Sequence, residues 1–317
     1  MMLRILSPGP LSLLQDLGRQ GHQHIGVSPG GPMDEHAFLW ANRLLDNMLN
    51  DAQIEITMGQ FRAEFTAEIT FALTGADMGA KLNDKSIVPW QSYHAQPGDT
   101  IALRGARYGT RCYLAVKGGF TSDPILHSRT TVVRDQLGGL DQHGSALKAG
   151  DEVPYITQQD DAPLRQVPSQ FVPEYGPNIE LDVIPSYQFD RFAPEQRERF
   201  FNHDYTVTTN CDRMGYRLSG ESIQCQEQKL ISEGIALGAI QIPADGQPIV
   251  LMRDRQTIGG YPKMGCVCAK DLSKLAQSQP GTTVRFVEKS LEQATQERRL
   301  ELQFFNHYVS RNQRTTV

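Results

Sequence analysis

The sequence predicts a mainly β protein of two similar lobes, and three observations carry that expectation. Short runs rich in β-branched and aromatic residues recur along the chain, each bounded by Gly, Pro, Asp or Asn, which is the pattern of sheets packed or closed into barrels. Helical periodicity is confined to two segments. A turn signature also recurs: Gln96-Pro97-Gly98-Asp99-Thr100-Ile101 is echoed by Gln279-Pro280-Gly281-Thr282-Thr283-Val284, and Asp16-Leu17-Gly18-Arg19 more loosely by Asp212-Arg213-Met214-Gly215-Tyr216-Arg217.

In chain order, Met1 to Pro10 reads as the first strand, because its apolar run is too short for a signal-peptide core and leads straight into Pro-Gly-Pro. The Gly- and Pro-rich stretch from Gln15 to Asp34 is an ordered loop. Asp34 to Leu45 is a helix, with Asp34 as its N-cap and Phe38, Leu39, Leu44 and Leu45 at roughly helical spacing. Strands follow at 54–57, 69–73, 100–103 and 112–116. Between Tyr155 and Pro177 neither a period of 2 nor one of 3.6 holds, so 156–177 is a linker after a first lobe at 1–155. Strands at 179–184, 205–208, 249–252 and 283–286 build a second lobe at 178–289. Ser290 to Val309, opening Ser-Leu-Glu-Gln, is a terminal helix within 290–317.

Bulk properties exclude whole function classes. At about 150 residues per domain, 317 residues make two domains. Lys plus Arg number 31 against 36 for Asp plus Glu, a net charge of −5 without a dense basic tract, which argues against a nucleic-acid partner. The longer apolar runs are broken by Gly and Gln well short of a membrane span. Five cysteines, an odd number without metal-type spacing, are expected to be reduced thiols of a cytoplasmic protein.

Four Gly-Gly pairs, at 30–31, 118–119, 138–139 and 259–260, permit positive φ and a close approach of backbone N–H groups to an anion, although for any one pair a hairpin turn is the favoured reading. A Walker loop and a strand-to-helix G-x-G-x-x-G are both missing. Arg19, Arg213 and Lys117 are candidate cations for a phosphoryl or carboxylate group, and Arg19 is equally a candidate for pinning its own loop through Asp16 or Asp34. In the second half, Glu233, Gln241, Asp254 and Gln256 are polar residues embedded in strand-like segments, so they satisfy one another or face a ligand. The histidines do not gather into a metal pattern, and a metal site is not expected.

Gln15-Asp16-Leu17-Gly18-Arg19, Gly30-Gly31-Pro32-Met33-Asp34, Ala41-Asn42-Arg43-Leu44, Leu114-Ala115-Val116-Lys117-Gly118-Gly119, Asp212-Arg213-Met214-Gly215, Ser232-Glu233-Gly234, Gly238 to Pro243 and Gly259-Gly260-Tyr261-Pro262 together resemble one family. It is the family of the biotin-dependent carboxyltransferases, the second allophanate hydrolase polypeptide and the Kip-inhibitor antagonists, whose stand-alone bacterial members are the C subunits of 5-oxoprolinase. One departure is His127 before Ser128, where the family usually carries Gly. The resemblance implies two cyclophilin-like β-barrel lobes. It also implies two partners, a Kip-inhibitor-like B subunit plus an A subunit. With both, the chain would hydrolyse 5-oxo-L-proline to L-glutamate using ATP, with Mg at the level of the complex. The alternatives it carries are the carboxyltransferase component of a biotin-dependent urea carboxylase system and a regulator that binds a Kip-inhibitor-like partner.

A lactam is a resonance-stabilised amide, and phosphorylating its oxygen gives an imidate phosphate that water can open. That chemistry needs cations and backbone N–H groups around oxyanions and a carboxylate to handle a proton. By residue type, Asp34, Glu233 and Asp254 are the expected catalytic carboxylates. Arg19, Lys117, Arg213, Gln241, Gln256, Gly259, Gly260 and Tyr261 are the expected contacts to substrate or phosphate.

Overall fold

A computed structural model describes residues 1–156, 163–226 and 230–312, with the side chains of 307–312 left aside. The chain falls into two compact units. One comprises Met1–Arg19, Gly30–Tyr175 and the chain from Leu302; the other comprises Gln20–Pro29 and Gly176–Glu301. The chain is therefore not divided once along its length: part of the early Gly-rich loop belongs to the second unit.

The first unit holds β1 (Met2–Pro8), β2 (Leu11–Gln15), α1 (Glu35–Leu44), β3 (Gln53–Thr57), β4 (Phe61–Phe65), β5 (Ile69–Gly75), β6 (Lys81–Leu82), β7 (Lys85–Ser86), β8 (Gln91–Ala95), β9 (Thr100–Leu103), β10 (Arg111–Val116) and β11 (Glu152–Pro154). They form two sheets, ordered β11-β1-β4-β9-β6-β7 and β2-β3-β10-β5-β8. One apolar core draws on both, with Leu3, Ile5, Phe61 and Phe65 from the first and Ile54, Phe71, Leu73 and Leu114 from the second. Alternation explains β4, whose Phe61, Ala63 and Phe65 point inward while Arg62 is exposed. β5 and β10 are buried at every residue, because their outer face is covered by α1. α1 begins where expected: the Asp34 carboxylate accepts from the Ala37 amide at 3.0 Å.

The second unit holds β12 (Asn178–Pro185), α2 (Pro194–Asn202), β13 (Tyr205–Cys211), β14 (Gly215–Ser219), β15 (Glu233–Gly234), β16 (Ala239–Gln241), β17 (Ile249–Leu251), β18 (Ile258–Gly259), β19 (Lys263–Val267), α3 (Ala269–Ala276), β20 (Thr283–Glu288) and the beginning of α4 (Leu291–Asn312). Seven strands close a barrel in the order β12-β19-β16-β17-β14-β13-β20. Closure leaves β15 and β18 outside as a two-stranded ribbon, Glu233 opposite Gly259.

The mainly β fold with few helices and a C-terminal helix is as expected, and each expected run falls within a residue or a few of an observed strand, but further strands, β2, β4 and β8 among them, were not anticipated. Two helices were not anticipated. α2 is polar almost throughout and buries only Phe200, so little apolar periodicity marked it. α3 is short and apolar on one side, with Leu272, Leu275 and Ala276 buried. Of the expected linker, the Gln158-Gln159-Asp160-Asp161 segment lies outside the described residues. The part after it is docked: Arg165 O accepts from Ser92 N at 2.9 Å, and Val167 N donates to Trp90 O at 2.9 Å.

Candidate functional site

The expected site residues of the first unit are spent on its scaffold. Asp34 is buried; besides capping α1 it accepts from the Tyr175 hydroxyl at 3.1 Å. Arg19, also buried, donates through Nε to Ile125 O at 3.1 Å and through Nη2 to Thr130 O at 2.5 Å. Asp16 turns to Ser128 Oγ and the Arg129 amide, both at 2.6 Å. Lys117 Nζ donates to Leu45 O at 2.6 Å, at the C-terminal end of α1 where a cation complements the helix dipole.

The glycine pairs of this unit do adopt positive φ, but they are not open cradles. A Cβ on Gly138 would overlap Arg19 Nη2 and Thr130 O, and one on Gly30 would overlap Thr130 Cγ2. His127 sits at φ +63, a left-handed conformation in which glycine is free of strain.

In the second unit, expected residues converge. Glu233 lies on β15 and is about one-third exposed. Its Oε1 accepts from Lys263 Nζ at 2.5 Å and from Gln188 Nε2 at 2.7 Å, and its Oε2 accepts from the Tyr187 hydroxyl. Gln188 is the organiser. Its Nε2 also donates to the Tyr187 oxygen at 2.8 Å, and its Oε1 accepts from the Lys263 amide at 2.8 Å. The turn that presents Tyr187 and Gln188 follows β12 and closes through Phe189 N to Ser186 O at 3.0 Å. Lys263 opens β19, opposite Gln241 on β16, and Gln241 is buried beside Gly259.

Gly259 and Gly260 are needed for close approach rather than for positive φ. A Cβ on Gly259 would lie 2.6 Å from Ile235 Cδ1 and 2.9 Å from Gln241 Nε2, and one on Gly260 would lie 2.6 Å from Leu230 O. Tyr261 follows them, 43% exposed. Gln256 is half-buried in the loop that leads into β18.

Arg213 and Asp254, expected as anion grip and catalytic carboxylate, bind each other. Nε and Nη2 of the buried Arg213 donate to the two Asp254 oxygens at 2.8 and 2.9 Å. That two-pronged geometry commits the fork of Arg213 within the protein.

Lys263 above all, then the Tyr187 hydroxyl, holds the Glu233 carboxyl below the usual glutamate range, while the same hydrogen bond from Tyr187 to Glu233 pushes the phenol up. The result is an ionised, partly exposed carboxylate flanked by an ammonium group and a phenol, a set able to accept a proton at Glu233 and to offer positive charge to a developing oxyanion. Lys263, Tyr187 and Gln188 were not anticipated from the sequence. The one available signal was position: Lys263 directly follows the Gly259-Gly260-Tyr261-Pro262 motif. Among the described residues no group of three or more His, Cys, Asp or Glu could hold a metal ion. No helix among them is long and apolar enough to cross a membrane.

Residues 25–288 match the family model described as carboxyltransferase domain, subdomain A and B. The chain is 34% identical to the C subunit of Escherichia coli 5-oxoprolinase over 311 residues, covering 98% of each. It is 33% identical to the C subunit of Haemophilus influenzae 5-oxoprolinase, covering 94% of each. The crystal structure of Kluyveromyces lactis urea carboxylase superposes with a TM-score of 0.89 at 27% identity, over 97% of this chain and 29% of that one.

Proposed function

From the premise that this chain belongs to the carboxyltransferase domain, subdomain A and B family, we propose that it works as the C subunit of an ATP-dependent 5-oxoprolinase, which hydrolyses 5-oxo-L-proline to L-glutamate together with the A and B subunits. The observation that carries this reading is end-to-end correspondence: 98% of this chain and 98% of the Escherichia coli protein are covered by one match. This reading keeps ATP and Mg at the level of the complex, since a side chain at Gly30, Gly119, Gly138 or Gly139 would meet the first unit's own atoms and the described residues hold no group of three metal-ligating side chains. No step on this chain is therefore routed through ATP.

In this reading the ribbon site handles the amide. Glu233, kept ionised by Lys263 and Tyr187, takes the proton from water as it adds to the lactam carbon. Lys263 stabilises the negative charge that moves to the former carbonyl oxygen. Cleavage of the C–N bond then returns a proton to the leaving nitrogen, a transfer for which protonated Glu233 and the Tyr187 hydroxyl are both suited.

A second reading, transfer of a carboxyl group from carboxybiotin to urea, is favoured by the superposition on urea carboxylase. Reconstitution separates the two. The chain with its partner subunits, 5-oxoproline and ATP is expected to release glutamate, whereas the chain alone is expected to release none. Bicarbonate-dependent carboxylation of urea by the chain with a biotin carrier, without glutamate from 5-oxoproline, would replace the first reading by the second.

A further inference from the structure

We propose that Arg255 is the oxyanion-binding residue at the foot of the β15–β18 ribbon, and that its ligand is the carboxylate of a small amide-bearing acid. Arg255 is 5% exposed. Its Nε donates to Ile235 O at 3.1 Å and its Nη1 to Met252 O at 3.3 Å, two neutral acceptors that orient a guanidinium without neutralising it. A buried cation calls for a counter-charge. Both nearby groups that could supply one are otherwise engaged. Asp254 is bonded on both oxygens to Arg213, and burial pushes the Cys266 thiol up to about 11, so it is neutral at physiological pH.

The remaining nitrogen, Nη2, hydrogen-bonds none of the described residues and is not among the sealed, unbonded atoms. It is the nitrogen of the fork that the described residues leave for a carboxylate. Burial and the neighbouring Arg253 hold the guanidinium down to about 10, still fully charged at neutral pH, and an arriving anion would relieve both effects.

The placement of Arg255 is itself built. Ser28 Oγ donates to the Arg255 carbonyl at 3.1 Å, and Gln23 Nε2 donates at 2.9 Å to Ile235 O, the carbonyl that Arg255 also holds. A segment distant in sequence thus anchors the arginine and the base of the ribbon together. Ile235 is two residues from Glu233 on the same strand path, so the cation and the proton-handling carboxylate share one support. Identifying the acid as 5-oxoproline, which carries a carboxylate across its ring from the lactam carbonyl, rests on the 5-oxoprolinase reading.

The test uses the reconstituted complex for kinetics and the full chain for calorimetry, with 5-oxo-L-proline, 2-pyrrolidinone, glutarate and inorganic phosphate as probes. Losing one charge-assisted contact is expected to weaken binding about tenfold to a hundredfold. The wild-type chain should therefore bind 5-oxoproline by that factor better than 2-pyrrolidinone, which has the lactam but no carboxylate. Arg255→Gln should erase the preference and raise KM while leaving kcat less affected, and Arg255→Lys should keep part of it. The wild-type probe series needs no variant, so a poorly folding Arg255→Gln does not spare the proposal. Wild-type binding that ignores the carboxylate, or an unchanged KM in Arg255→Gln with turnover intact, overturns it while the 5-oxoprolinase reading stands. Arg255-dependent binding of glutarate without 5-oxoproline turnover supports the proposal and removes that reading. Arg255-dependent binding of phosphate but of neither carboxylate overturns the assignment of the ligand.

Discussion

A carboxylate of the first unit and one of the second are held in opposite ways. In the first, Glu55 is completely buried and fully engaged: it accepts from the Tyr113 hydroxyl at 2.7 Å and the Met33 amide at 2.8 Å, and it forms an ion pair with buried Arg111 at 3.8 Å. The Tyr113 oxygen in turn accepts from the Asp34 amide at 2.8 Å, so the network fixes the start of α1. In the second unit Glu233 is equally well bonded but stays one-third exposed, and Arg255 has no carboxylate partner among the described residues. A closed network stabilises one arrangement of the chain; an ionised group that still meets solvent can exchange a proton or a ligand. Number of hydrogen bonds does not separate scaffold from site, whereas access does.

The sharpest way to break this comparison is a pair of matched substitutions. Glu233→Gln should lower kcat of the reconstituted complex by about a hundredfold or more, as expected for a lost proton-transfer group, with little change in melting temperature. Glu55→Gln should do the reverse. It strips the anion from a buried pair, which costs about 3–5 kcal/mol, and should lower the melting temperature steeply while activity per folded molecule holds. Equal activity losses in the two variants would dissolve the distinction.

A smaller effect sharpens the electrostatics of the site. The Glu233 carboxyl is held below its ordinary range in the folded chain by Lys263 and then Tyr187. Its contribution to stability is therefore present above the usual glutamate pKa and lost as pH falls through the lower, folded value. Titrating side-chain-labelled glutamates by NMR should place Glu233 below the bulk of the glutamates, and Lys263→Met should move it back up. An unmoved resonance in that variant would mean that the ion pair does not set the charge state.

The smallest effect concerns the echo between the units. Gly98 and Gly281 sit at φ +88 and +93, and a side-chain carbon added to either would have nothing within 4 Å, so an alanine there meets only backbone strain. Gly98→Ala and Gly281→Ala should each cost about 1 kcal/mol and lower the melting temperature by similar amounts. A strongly unequal pair would show that the two turns are alike in sequence only.

That echo was legible because it is local. Gln96 N donates to Asp99 Oδ2 at 2.7 Å and Gln279 N to Thr282 Oγ1 at 3.2 Å, so each turn is closed by its own fourth residue. Asp16 and Asp212 likewise each bond an amide two residues on, Gly18 at 2.9 Å and Met214 at 2.7 Å. The α1 cap depends on a neighbour in the chain and could be read the same way, whereas the close approaches of Gly259 and Gly260 are to Ile235, Gln241 and Leu230, far from them in sequence. Glu233 and Gln241, polar residues standing out in apolar strand sequence, and the Gly259-Gly260-Tyr261 run were expected as site candidates, and the structure sets Gln241 beside Gly259 and Glu233 opposite it. Their partners were not expected: Lys263 looks like any strand-edge lysine, and Tyr187 and Gln188 lie in an unremarked turn.

By itself, then, the sequence determined many of the strands, the first and last helices, the tight turns and the polar residues set among apolar ones, because hydrophobic period and turn chemistry act over a few residues. Only the tertiary structure decided which charges meet. Arg213 finds Asp254 across 41 positions, Lys263 finds Glu233 across 30, and Gln23 reaches Ile235 across 212. Such pairings follow from barrel closure and from the early loop joining the second unit, and an arginine's residue type is the same whether it grips an aspartate of its own chain or awaits a ligand.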